Sequence, residues 1–114
     1  KTATVINDIS YISAVMADGV SGDDLRKIAI DLRERETKSV VALISANDGK
    51  PVLVVATDEQ ARITGVKAGA LVKIGSTVLG GGGGGKDDFA QGGGTEVSKI
   101  ADAHLAIEQV ISGK

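Results

Sequence analysis

Leu79-Gly80-Gly81-Gly82-Gly83-Gly84-Gly85-Lys86-Asp87-Asp88-Phe89-Ala90-Gln91-Gly92-Gly93-Gly94 holds nine glycines in sixteen residues. It lies between two segments of helical periodicity, so it reads as a connection inside a folded unit. A flexible linker would be built of Gly and Ser and carry no core-type residue. Here two glycine runs flank a Lys-Asp-Asp-Phe-Ala-Gln cassette. Glycine lets a backbone reach positive φ and approach a ligand closely. Consecutive N–H groups turned one way form an anion-binding concavity. The expectation is a structured loop that cradles phosphate; if it needs positive φ at Gly83 or Gly84, Val at either position should do harm.

Helices are expected on both sides of the loop. Lys67 to Leu79 spaces Ala68, Leu71, Val72 and Gly75 or Val78 along one inward face. After the loop, Thr95 is the expected cap of a last helix running to about Ile111. Its apolar stripe would be Val97, Ile100, His104, Ile107 and Ile111. Further upstream, Ser39–Ala46 and Pro51–Thr57 are apolar runs joined by Asn47-Asp48-Gly49-Lys50, a strong hairpin signal. Their unbroken Val, Leu and Ile content predicts strands buried on both faces. Asp58 to Ala61 reads as a loop or a single helical turn. Gly22 to Glu36 reads as an amphipathic helix capped by Ser21, with Asp24 at capping-box spacing. Thr2–Ile6 and Ser10–Met16 read as two strands around an Asn7-Asp8 turn. The predicted fold is one compact α/β domain (α+β-like) over residues 1–114. A mixed sheet is covered by helices, with a structured Gly-rich loop between the last two.

Composition narrows the function. The chain has 114 residues, 42% of them hydrophobic, and a formal net charge of −2. That charge lacks the bulk basic signature of a nucleic-acid coat, so such a partner would need a local patch. Arg26, Lys27, Arg33, Arg35 and Lys38 gather near the first helix. Lys67, Lys73, Lys86 and Lys99 gather around the glycine loop. The bland reading of both groups is a solvated face. With no cysteine and one histidine, the chain has neither a disulfide framework nor a zinc site of the usual kind. The absence of cysteine suits the cytoplasm. No apolar run approaches the roughly 20 residues of a membrane helix. The chain begins at Lys1 rather than Met, which reads as a piece of a longer protein.

No catalytic centre emerges. Gly80, Gly85 and Lys86 match the count of an ATP-binding P-loop. The next residue, Asp87, stands where that motif needs Ser or Thr for magnesium. The loop also follows a helix instead of a strand. Asp87 and Asp88 are adjacent, and neighbouring loop carboxylates point apart more readily than they converge. His104 falls on an apolar stripe and reads as a packed residue. Phe89 is open between stacking on an exposed base and anchoring the loop in the core.

The Gly65-Val66-Lys67-Ala68-Gly69 segment and the Gly-Lys-Asp-Asp-Phe-Ala-Gln-Gly cassette resemble the C-terminal, DHH-associated domain of the alanyl-tRNA synthetase family. The resemblance covers nearly the whole chain. It implies a non-catalytic module that binds alanine-specific tRNA at its outer corner and helps the aminoacylation and editing sites of the parent synthetase share one substrate. On that resemblance Gly81, Gly82, Gly83, Gly84, Gly85, Gly92 and Gly93 shape the contact surface. Lys67 and Lys86 add charge, and Phe89 and Gln91 meet bases or sugars. It implies no cofactor in this piece; ATP, Mg²⁺ and an editing-domain zinc would belong to the parent. It also implies partnership with the rest of the parent and a homodimer formed through an adjoining helical segment. Two rivals stand beside it. One is the nucleic-acid-binding half of a DHH-type phosphodiesterase, against which Lys86 stands where those enzymes tend to carry His. The other is an oligomerisation domain.

Overall fold

The computed structural model describes residues 4–113. The chain runs β1 (Thr4–Ile6), β2 (Ile9–Val15), α1 (Gly22–Arg35), β3 (Ser39–Asn47), β4 (Lys50–Thr57), α2 (Glu59–Ile63), α3 (Ala68–Val78), β5 (Gly83–Gly85), β6 (Phe89–Gly93), a 3-10 turn (Val97–Lys99) and α4 (Ile100–Ile111). Thr2 and Ala3, expected in the first strand, lie outside the described residues.

The strands form one mixed sheet in the order β1-β2-β3-β4-β6-β5. Only β2 and β3 pair in parallel, and α1 supplies the crossover between them. In β3, Val40, Ala42 and Ile44 face one core while Val41 and Leu43 face the other. In β4, Leu53 and Val55 alternate with Val54 and Ala56 in the same way. Period-two side chains with both faces apolar are the mark of a sheet covered twice. Helix α1 covers one face with Leu25 and Ala29, and α3 and α4 cover the other with Leu71, Val72, Ala103 and Ile107. Each fully buried Leu or Ile contributes roughly 1.5–3 kcal/mol relative to exposure.

Local signals hold these elements in place. Asp48 and Gly49 take positive φ (52° and 76°), as a two-residue hairpin turn requires. Ser21 accepts from the Asp24 amide at 3.1 Å and caps α1. Asp58 accepts from the Ala61 amide at 2.9 Å and starts α2, a short helix where a loop or one turn was expected.

Three expectations need correction. The structured glycine-rich segment is a hairpin instead of a loop, because Gly83–Gly85 and Phe89–Gly93 are strands added to the open edge of β4. Thr95 does not cap the last helix. Its amide and that of Glu96 both donate to the Leu79 carbonyl at 2.9 Å, tying the chain to the end of α3. Helix α4 therefore begins only at Ile100, after the 3-10 turn. Its stripe also differs: Ala103 is fully buried, Val97 is 39% exposed, and His104 is half-buried. The His104 Nε2–H donates to the Ala14 carbonyl at 3.2 Å. Burial holds its pKa below the ordinary 6.5, against the opposing pull of that hydrogen bond. It is a neutral packing residue.

Candidate nucleic-acid interface

Hairpin β5–β6 forms one end of the molecule, with β5 as the outermost strand. Its register pairs Gly83 with Gly92, Gly84 with Gln91 and Gly85 with Ala90. The Lys86 amide donates to Phe89 at 2.9 Å and the Gly93 amide to Gly82 at 3.3 Å. These bonds fix the alternation of an antiparallel ladder: Gly84 turns its backbone groups inward to β6, and Gly83 and Gly85 turn theirs to the open edge.

Close packing, not positive φ, makes most of these positions glycine. A Cβ on Gly83 would strike the Gly92 backbone, and one on Gly81 the Gly93 carbonyl. A Cβ on Gly92 would meet Ser76 Oγ and Val72 of α3, and one on Gly93 would lie 2.7 Å from the Pro51 carbonyl oxygen. Gly82 and Gly84 face open space instead. Gly83 and Gly84 do not take positive φ; within the first run, Gly80 (83°) and Gly85 (157°) do. Part of the expected amide cradle is bonded inside the fold, while the Gly83 and Gly85 amides stay on the open edge. The amides of Gly81, Lys86, Gly93 and Gly94 bond to Ser76, Phe89, Gly82 and Pro51.

The hairpin turn also finishes α3. That helix has no side-chain cap at Lys67. Instead the Ala68 amide donates to the Asp87 carbonyl at 2.8 Å and the Gly69 amide to the Lys86 carbonyl at 3.1 Å. First-turn donors that would otherwise lack partners are thereby satisfied, and the turn is held against the helix. Thr57 Oγ donates to the same Asp87 carbonyl at 2.6 Å.

Cations flank the glycine strand on both faces of the sheet. On the α1 side, a groove of about 510 Å³ is bounded by Arg26, Arg33, Lys86 and Gly84–Gly85. On the α3 side, Lys67 and Lys73 border Gly83–Gly85, together with Asp87. Three other basic residues are engaged in ion pairs: Lys38 with Asp8 at 2.7 Å, Arg35 with Asp31 at 2.9 Å and Lys99 with Asp102 at 3.9 Å. The structure thus brings Gly81–Gly85, Lys67, Lys86, Phe89 and Gln91 to one end. Gly92 and Gly93 lie beneath as packing residues. Phe89 is half-buried against the α1-side core, and the Arg26 guanidinium covers its ring at 5.1 Å from the centroid. Arg26 and Arg33 were visible in the sequence as basic residues. Nothing in their spacing tied them to the hairpin, which is distant in sequence.

Residues 8–113 match the family model of the DHHA1 domain. The chain belongs to the DHHA1 family. It is 42% identical to the alanine–tRNA ligase of Streptomyces avermitilis over 114 residues, covering 97% of this chain and 13% of that protein. With the alanine–tRNA ligase of Renibacterium salmoninarum the identity is 48%, covering 98% of the chain and 12% of the ligase. This DHHA1 chain therefore spans about an eighth of the length of the curated relatives it matches. Its fold superposes on the C-Ala domain of alanyl-tRNA synthetase from Aquifex aeolicus with a TM-score of 0.92 at 30% identity, covering 99% of this chain and 100% of that one. The resemblance to the C-terminal domain of that synthetase family stands on sequence and fold together. A DHH domain from the s1p family of ribosomal proteins shares the fold at a TM-score of 0.63 and 16% identity, over 97% of this chain and 27% of that one. No helix among the described residues is long and apolar enough to cross a membrane.

Proposed function

We propose that this DHHA1 domain binds tRNA on behalf of an alanyl-tRNA synthetase in the cytoplasm and catalyses no step itself. One observation carries the reading: a side-chain-free edge strand is bracketed by Arg26, Arg33 and Lys86 on one sheet face and by Lys67 and Lys73 on the other. Glycine allows a phosphodiester or a flat base pair to approach the backbone, and cations on both flanks neutralise the phosphates that come with it. The relatives are ligases for alanine and its tRNA, which supports the synthetase over the phosphodiesterase. Alanine activation, ATP, Mg²⁺ and the editing zinc belong to the parent in this reading. A homodimer would form through segments outside the domain.

The test is a titration of the domain with alanine-specific tRNA, a second tRNA and a single-stranded RNA at two salt concentrations. Folded tRNA should bind more tightly than the single strand. Lys86→Ala should weaken binding about equally for both tRNAs and lower the salt slope by about one unit. Failure to bind either tRNA would defeat the proposal. Tighter binding to the single strand would favour the phosphodiesterase relative. Hairpin variants that change oligomeric state but not affinity would favour an assembly role.

A further inference from the structure

We propose that the groove between α1 and the β5–β6 hairpin is a subsite for one unpaired nucleotide of the bound RNA, with its base laid on the Arg26 guanidinium and its phosphate held by Lys86 and Arg33. The proposal rests on the RNA-binding reading above and adds a ligand class and new residues to it.

The argument starts from Phe89. Its ring packs on the α1-side core and is covered by Arg26, so no base reaches that ring without displacing the guanidinium. The exposed planar group at this spot is Arg26 itself. A guanidinium is flat, delocalised and weakly hydrated, and bases stack on it as they do on aromatic rings. The Phe89 ring beneath holds the guanidinium through cation–π attraction, so Phe89 acts as the positioning residue.

Arg33 supplies a fixed charge. Its side chain is only 15% exposed. Its Nη1 donates to the Asp88 carbonyl at 3.0 Å and its Nε to Glu34 at 3.2 Å. These two bonds leave three of the five guanidinium N–H donors. Lys86 begins the hairpin turn on the same groove; Asp88 lines that groove beside the cations, and Glu34 pairs with Arg33. The exposed Gln91 carboxamide closes the far end against α1, where a Cβ on Gly22 would come within 2.5 Å of Nε2. It offers a donor and an acceptor to a base edge. At about 510 Å³ the groove falls within the roughly 300–1,000 Å³ of small-molecule sites. A paired base inside a helix shows only its edges, so a stacking platform of this kind selects a base that has left the stack.

The test is a pair of NMR titrations of the isotope-labelled domain, one with adenosine 5′-monophosphate and one with inorganic phosphate. The nucleotide should shift the Arg26 Nε–H, the Phe89 ring and the Gly84–Lys86 amides; phosphate alone should shift only Lys86 and Arg33. Arg26→Lys keeps the charge and the helix propensity but removes the plane. It should weaken the nucleotide, but not phosphate, by about five-fold or more. The same variant should weaken tRNA by a similar factor with its salt slope unchanged. A nucleotide footprint identical to that of phosphate, or none in the groove, would overturn the subsite. So would full tRNA affinity in Arg26→Lys and Arg26→Ala. In that last case tRNA binding itself would survive, whereas a wild-type domain that binds no tRNA would bring down the broader reading.

Discussion

At the residue scale, the glycines sort by what stands beside them. Gly92→Ala would drive a methyl into Ser76 and Val72, both fully buried. Overpacking of this kind costs about 1–3 kcal/mol, and a lower urea midpoint with an unchanged m-value should show it. Gly84→Ala meets open space at an ordinary φ. It should leave the urea midpoint nearly untouched while weakening tRNA, if RNA needs a bare backbone there. Equal losses of stability in the two variants would contradict the packing account. His104 belongs to this scale as well. Its folded-state pKa is depressed by burial, so near pH 6 the unfolded chain holds more protons than the folded one. The stability it contributes is complete above the unfolded value of 6.5 and is lost as pH falls through that value toward the folded pKa. The thermal midpoint should drop between about pH 7.5 and about pH 5, and His104→Gln should flatten part of that drop.

At the element scale, α3 is tightly constrained by its neighbours. A Cβ on Gly75 would lie 2.7 Å from Leu53 Cδ2 and 3.0 Å from Ile107 Cδ1. Gly75→Ala gains about 1 kcal/mol of helix propensity. The overpacking cost of about 1–3 kcal/mol exceeds it, so urea denaturation should show a net loss. The same contrast explains what the sequence revealed. Strands β3 and β4 were legible because their apolar runs are long and an Asp-Gly pair joins them. Helices α1 and α3 were legible from period and, in α1, from Ser21. Strands β5 and β6 were hidden because glycine carries no hydrophobic alternation, leaving only Phe89 and Ala90 to hint at pairing. The late start of α4 was hidden because the bonds to the Leu79 carbonyl depend on where α3 ends. In the candidate interface, Lys67, Lys86, Phe89 and Gln91 could be named from one cassette and the Lys67 segment before it. Arg26 and Arg33 reach the hairpin only through the sheet.

At the scale of the whole molecule, two cores share one sheet, and the glycine hairpin is the last pair of strands on its edge. The far edge is β1, Thr4–Ile6 among the described residues. Removing charge from both flanks, as in Lys86→Ala with Lys67→Ala, should lower the salt slope for tRNA by about two units. Those residues lie on opposite faces of the sheet and share no partner, so their losses should add. The carbonyls of Lys86 and Asp87 that cap the start of α3 lead to a different kind of readout. The Ala68 and Gly69 amides are protected from solvent deuterium only while the hairpin turn stays closed. Their exchange rates therefore report each opening of the turn from a helix that need not touch RNA. A ligand that clamps the hairpin would slow both amides together, making α3 a clock for an event on its neighbour.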